Sequence, residues 1–370
     1  MTKVFIFWGP KEKFNEEIPK NYTTLSDLVN TFDNYRNTYR IVSDNVIKAL
    51  KYEYDFFEDL VAFGDEFHSV NESFMLSFVS RISSIEFDSI FLHNPPYNII
   101  QQFKRSNVNI EEKNYEYSNI TRNLIREIDN EYDKYIVGQA DVKREILLSL
   151  ISLLNEHNSK PVVLMFYGPS GVGKTETAKF ISQKLGGNLF RQQFSMFQSS
   201  KYLAYLYGDS INEGSFALDL LERKTNVILL DEFDKVDTHF HSAFYELFDE
   251  GIYKDKNYKV NLKKSIIICT SNYGDEQQVK SHLGEAMYSR IDNVIEFNSL
   301  SGSDKVTLIN MKVEQKLNDY NKNQRELIDQ LKIINILKEN LESIVNVREI
   351  DRSVQKLISL ELLNGILKNG

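Results

Sequence analysis

The sequence is short of cysteine, of long apolar runs and of net positive charge, and each shortage closes off a class of function. A single cysteine, Cys269, stands among 370 residues, inside an apolar stretch. No disulfide framework is therefore possible, and a reducing compartment fits. The N-terminal apolar run, Val4 to Trp8, gives way to Pro10 and charges. It is too short for a signal-peptide core or a membrane span, so a cytoplasmic location without a membrane partner is expected. Acidic residues outnumber basic ones 53 to 44, for a net charge of -9. The acidic excess holds both for residues 1–130 and for the remainder, which disfavours nucleic acid as a partner. With 42% hydrophobic and 26% charged residues, the composition is that of a folded globular protein long enough for two domains.

Against these absences stands one dense stretch, Val162 to Thr175, VVLMFYGPSGVGKT. It reads as a buried strand running into a glycine-rich turn and then a helix. The turn Gly168-Pro169-Ser170-Gly171-Val172-Gly173-Lys174-Thr175 satisfies G-x-x-x-x-G-K-[ST], the phosphate-binding loop. Glycines let the backbone curl so that its N–H groups face phosphate oxygens, and the following helix, opening at Glu176, presents its positive end to the same anion. Lys174 reaches the β- and γ-phosphates, and the Thr175 hydroxyl is placed for Mg²⁺.

Two further apolar runs end in polar groups. Val227 to Leu230 leads into Asp231-Glu232, the pattern of a buried parallel strand whose C-terminal end opens on a nucleotide crevice. Asp231 then holds Mg²⁺ through water, and Glu232 polarises the attacking water. Ser265 to Ser271 ends in Asn272, whose amide is placed for the γ-phosphate or that water.

The rest of the chain reads more coarsely. Residues 1–130 form a separate α/β unit: strand Lys3–Trp8, helices Asp44–Phe63 and Glu72–Ile82, strand Phe87–Leu92, and helix Asn98–Lys104. Its aromatics Phe56, Phe57, Phe63, Phe67, Phe74 and Phe78 read as core. The loop His93-Asn94-Pro95-Pro96 sits where α/β folds place ligands, although a plain turn is the simpler reading. No family is recognised in the residues of this unit. Residues 115–135 form a polar helical bridge. Leu189–Phe194 reads as a strand, Tyr202–Phe216 as a loop, Ala217–Lys224 as a helix and Val294–Phe297 as a short strand. Lys305–Tyr320, Glu326–Leu341 and Ile350–Leu367 read as helices. His239 and His241 fall on a solvated helix and lack the further ligands zinc requires.

Together the motifs resemble the AAA+ ATPases, in particular the Clp-type branch of unfoldases and disaggregases, over residues 133–368. The lead-in IVGQADV is similar to the segment lining the adenine pocket, through Ile136 and Val137. GPSGVGKT resembles the Walker A loop, VILLDEFDK the Walker B strand, and the run into Asn272 the sensor-1 strand. MYSRIDNVIEF resembles the arginine-finger segment, which places that role on Arg290. NVREIDRSVQKLI resembles the sensor-2 helix and places that role on Arg348, with Asn346-Val347 where the family usually has Gly-Ala. The resemblance implies an α/β fold with a doubly wound parallel sheet and a C-terminal helical lid. The domains would be 1–130, 131–300 and 301–370. It also implies ATP and Mg²⁺ as cofactors, a homo-oligomeric ring, usually hexameric, and ATP-driven remodelling of a protein partner. A slow-turnover nucleotide switch acting on the N-terminal domain or an effector is the alternative. The family's pore loop sets an aromatic between glycines; here Tyr207-Gly208-Asp209-Ser210 stands at that spacing, so Tyr207 is either a pore residue or a loop tyrosine packed on its own domain. The segment Tyr273–Ser289 carries no apolar docking tripeptide, which disfavours a peptidase partner.

Overall fold

The computed structural model describes residues 2–38, 59–83, 85, 87–196, 201–211 and 213–369. The chain divides into two compact units. One comprises Met1–Ser118, Met196–Asn226 and Ser242–Lys263; the other comprises Asn119–Ser195, Val227–His241 and Lys264–Gly370.

The first unit is built on a wholly parallel five-stranded sheet. Its strands are β1 (Lys3–Trp8), β2 (Thr23–Thr24), β3 (Asp59–Ala62), β4 (Ser89–His93) and β5 (Asn109–Asn114), in the order β2-β3-β4-β1-β5. Leu60, Val61 and Ala62 are wholly buried. This three-residue apolar run pairs with β4, so residues 59–62 are a strand and not the end of a helix as the periodicity predicts. The rest of that expected helix, with Phe56 and Phe57, lies outside the described residues. The expected helix 72–82 is two short ones, Glu72–Leu76 and Phe78–Ile82, parted at Ser77, where φ is -120° and ψ 22°. Phe67, Phe74 and Phe78 pack in the core as the aromatic pattern predicts, in edge-on and tilted contacts with rings 6.1 Å apart. Strand β5, Asn-Ile-Glu-Glu-Lys-Asn, escapes sequence reading because it is an edge strand, largely exposed and polar.

The same unit takes in two later segments. Residues 201–207 are a helix and not the loop that was expected, anchored where the buried Tyr253 hydroxyl donates to the Leu206 carbonyl at 2.7 Å. A hairpin of β9 (Ile252–Lys254) and β10 (Lys259–Asn261) follows helix Tyr245–Glu250.

The second unit carries the other parallel sheet: β6 (Val162–Tyr167), β7 (Phe190–Gln193), β8 (Val227–Asp231), β11 (Ile266–Thr270) and β12 (Asn293–Glu296). The order is β12-β6-β11-β8-β7, every pairing parallel. All residues of β6, β8 and β11 are buried, as expected for central strands covered on both faces, which read as unbroken apolar runs. Helices Arg122–Tyr135, Ala140–Ile151 and Lys174–Lys184 cover the sheet through Ile128, Tyr132, Ile146, Ala178 and Ile181. Helices Gly302–Leu317, Gln330–Glu339 and Val347–Asn369 close a separate apolar core around Ile309, Val313, Ile333, Ile350, Val354 and Ile358. The helical C-terminal region is thus present. No helix among the described residues is long and apolar enough to cross a membrane.

Candidate nucleotide site

The strand order decides which polar groups meet. With β11 between β6 and β8, the loop after β6, the carboxylates ending β8 and the amide following β11 share the C-terminal edge of one sheet, where doubly wound folds bind ligands.

Helix Lys174–Lys184 opens straight from the glycine turn, with Gly173 at φ 113° as its left-handed entry. Lys174 is 8% exposed. Its ammonium donates to three neutral oxygens: the Gly168 carbonyl at 2.6 Å, the Pro169 carbonyl at 2.7 Å and Asn272 Oδ1 at 3.3 Å. Burial lowers its pKa to about 8, against the raising pull of Asp231 and Asp234, with Arg348 lowering it a little further. A buried cation whose hydrogen bonds all go to neutral oxygens suits a polyanion. Thr175 is half-buried beside it, and Glu176 is exposed and paired with Lys179 at 2.7 Å.

Asp231 is 6% exposed. Arg191 donates to its Oδ2 from both Nε (2.9 Å) and Nη2 (2.5 Å), and Thr270 Oγ1 donates to Oδ1. Glu232 is held in the left-handed region at φ 56°, ψ 44°, a conformation that costs a non-glycine residue about 1 kcal/mol. Its N–H is secured by Thr270 Oγ1 at 2.9 Å, and its carboxylate accepts from Gln193 Nε2 at 3.3 Å. The turn therefore carries Glu232 out of the strand direction taken by Asp231.

The start of the last helix reaches the same loop. Val347 N–H donates to the Gly171 carbonyl at 3.1 Å, and the Asn346 side chain packs against Gly171. Arg348, the next residue, is exposed. Arg290 lies just past helix Glu276–Tyr288 and donates from Nη1 to the Ala286 carbonyl at 2.5 Å; the structure does not gather it with Lys174. An open pocket of about 480 Å³ is lined by Ile136, Val137, Gly138, Gln139, Asp133 and Asp304, among others. Gln139 is anchored by the Asn298 carbonyl at 2.8 Å.

Sequence reading missed Arg191, Gln193, Thr270 and Asp234. The first two are visible only once β7 is known to lie beside β8. Asp234 is 7% exposed and its Oδ1 finds no partner. His241, expected on a solvated helix, is instead buried and stacked on Phe233 at 5.7 Å; the aromatic face outcompetes solvent. His239 does lie exposed. Among the described residues no cluster of His, Cys, Asp or Glu could hold a metal by itself. The residues that fit a nucleotide with its cation are the glycine cradle, Lys174, the Thr175 hydroxyl and the Asp231 carboxylate.

A parallel sheet with a phosphate loop after an inner strand, β6, and carboxylates ending the next strand but one, β8, defines a phosphate-loop nucleotide-binding protein. Comparison narrows the class. Residues 159–334 match the family described as AAA domain (Cdc48 subfamily). The chain is 27% identical to the chaperone protein ClpB of Mycoplasmoides gallisepticum over 268 residues, covering 65% of this chain and 37% of that protein. It is 30% identical to ClpB of Yersinia enterocolitica over 167 residues (41% and 18%) and 32% identical to the AAA+ ATPase ClpV1 of Pseudomonas aeruginosa over 163 residues (40% and 18%). The chain thus carries a Clp-type AAA+ ATPase module, and it spans less than two fifths of the length of these relatives.

Proposed function

We propose that the chain is an Mg²⁺-dependent ATPase that remodels or unfolds a protein partner as a homo-oligomeric ring. The observation that carries this reading is the buried Lys174 ammonium, held by neutral oxygens at the edge it shares with Asn272, Asp231 and Glu232. On this reading the loop Gly168–Thr175 and the backbone N–H of Glu176 bind the phosphates, and Ile136 and Val137 line the adenine pocket. Thr175 and Asp231 hold Mg²⁺, which supplies charge neutralisation of the phosphates when bound. Glu232 accepts the proton of the attacking water, Asn272 orients that water, and Arg348 stabilises charge on the γ-phosphoryl group. Arg290 completes the site of a neighbouring protomer. The names of the ClpB relatives, chaperone proteins, support a protein substrate, and the hexameric ring follows from the Clp-type resemblance alone. Tyr207, exposed at the end of helix Lys201–Tyr207, is the candidate grip on that substrate. Domains at 1–130, 131–300 and 301–370 and a cytoplasmic location belong to the same reading; a peptidase partner, nucleic acid and a membrane do not.

The slow-turnover switch has one observation in its favour: both carboxylates are engaged by the chain's own side chains, Asp231 by Arg191 and Glu232 by Gln193. ATP turnover per protomer, measured as protein concentration rises, separates the two. The ring predicts specific activity that climbs with concentration and is abolished in Glu232→Gln and Arg290→Ala. Tight nucleotide binding, near-zero turnover at every concentration and an indifferent Arg290→Ala would leave only the switch.

A further inference from the structure

Asp231 is the carboxylate to which the proposed function gives the metal, yet a cation of the chain's own already sits on it. Arg191 stands on β7, hydrogen-bonded to β8, with Arg191 in register with Leu229 and Gln193 with Asp231. Its Nε and Nη2 converge on one oxygen, Asp231 Oδ2, at 2.9 and 2.5 Å, and Thr270 occupies the other oxygen. A carboxylate offers about four lone-pair sites, so three donors leave it nearly saturated. The guanidinium is always charged, and a divalent ion approaching Asp231 alone meets a fixed positive charge within a few ångströms, on a carboxylate that is 8% exposed and poorly screened. The Arg191 side chain is 41% exposed, so water can receive the guanidinium once it leaves. A second acceptor, Gln193 Oε1, already lies 3.4 Å from Nη2. A nucleotide's phosphates bring the negative charge that offsets both cations at once.

We propose that Arg191 is a displaceable counter-charge on Asp231 that makes divalent-cation binding conditional on nucleotide. The inference rests on Asp231 being the metal carboxylate. It assigns Arg191 a positioning role and not a catalytic one, because it acts through Asp231.

Mn²⁺ titrated into the nucleotide-free full chain, with free ion read by electron paramagnetic resonance, tests it without turnover. The wild type is expected to show only weak Mn²⁺ binding. Arg191→Met is expected to gain one site per chain, at least about tenfold tighter, which vanishes in the Arg191→Met/Asp231→Asn double variant. With ADP present, wild type and Arg191→Met are expected to converge. A nucleotide-free Arg191→Met that binds Mn²⁺ no better than wild type overturns the proposal, as does a wild type that already binds Mn²⁺ as tightly without nucleotide. Should Arg191→Met lose its cooperative thermal unfolding, Arg191→Lys serves. It keeps the charge but gives up the two-donor grip, and a few-fold gain is expected; no gain is again fatal. Failure of the underlying reading looks different: Asp231→Asn would then leave the Mg²⁺ dependence of fluorescent ATP-analogue binding at the wild-type value.

Discussion

Two strands of this molecule end in nearly the same words. Strand β1 runs into Phe7-Trp8-Gly9-Pro10, and β6 into Phe166-Tyr167-Gly168-Pro169. Both are inner strands of parallel five-stranded sheets, and both glycines take positive φ, 148° and 127°. After the proline they part. The first continues Lys11-Glu12-Lys13 into a four-residue helix, whereas the second adds Gly171 and Gly173 and opens an eleven-residue helix.

The consequence is chemical. In the first unit the polar groups at the sheet's edge consume one another. Asn94 is fully buried; its amide donates to the Gly9 carbonyl and to Glu222 Oε1, and its oxygen accepts from Gly9 N–H. His93 lies stacked on Phe14 at 5.0 Å and bonded to the Gly9 carbonyl at 2.7 Å; burial lowers its pKa to about 4, so it stays neutral near pH 7. The Glu222 carboxylate accepts from the N–H of Lys11, just past the Gly-Pro turn, and Lys11 pairs with Asp65 at 2.7 Å. An internal anion thus fills the place where a ligand would bind. In the second unit, the Lys174 ammonium hydrogen-bonds to carbonyl oxygens and to no carboxylate. The same sheet edge is a joint in one case and a receptor in the other, and the residues after the shared tetrapeptide decide which.

The sharpest way to break the comparison is at its two glycines. A Cβ on Gly168 would lie 2.2 Å from the Phe297 carbonyl oxygen, which belongs to the backbone beside β12, whereas one on Gly9 would meet the Tyr115 side chain at 2.5 Å. Gly168→Ala is expected to lose about 4 kcal/mol in urea unfolding and Gly9→Ala about 2, because the overlap at 2.2 Å with a carbonyl oxygen is deeper than the one at 2.5 Å with Tyr115 Cβ. Equal losses would show that the two turns are not built differently. Next, Lys174→Ala should weaken a fluorescent ATP analogue by about 100-fold, with Lys11→Ala near wild type.

Asn94→Ala should destabilise by about 2 kcal/mol, since it strips partners from buried groups and leaves a non-glycine residue at φ 44°. Asn94→Gly, which removes that strain, should recover about 1 kcal/mol. The smallest effect is in pH. With its pKa lowered to about 8, Lys174 is protonated below pH 8 and loses its charge as pH rises above it. ATP affinity should therefore be flat below about pH 8 and fall by up to about tenfold per unit above it. Affinity unchanged to pH 9.5 would remove Lys174 from the role of phosphate cation.

The nucleotide sheet was legible because its information is local. Unbroken apolar runs ending in polar residues mark β6, β8 and β11 without regard to neighbours, and the glycine loop carries its own geometry. The first unit was less so: β3 holds three apolar residues and β5 none in a row, and each becomes a strand only by pairing with β4 or β1. Helix Lys201–Tyr207, expected as loop, is fixed by a tyrosine some fifty residues away, Tyr253.

By itself, then, the sequence determined the glycine loop and the three apolar strands, and it singled out Lys174, Thr175, Asp231, Glu232 and Asn272 as candidates, since each follows from spacing along a few residues. Only tertiary structure decided that Arg191 clasps Asp231, that Gln193 meets Glu232, that Thr270 serves both, and that Glu222 fills the other sheet's edge. Those contacts join residues that are tens to more than a hundred positions apart, and they depend on strand order, which no local pattern encodes.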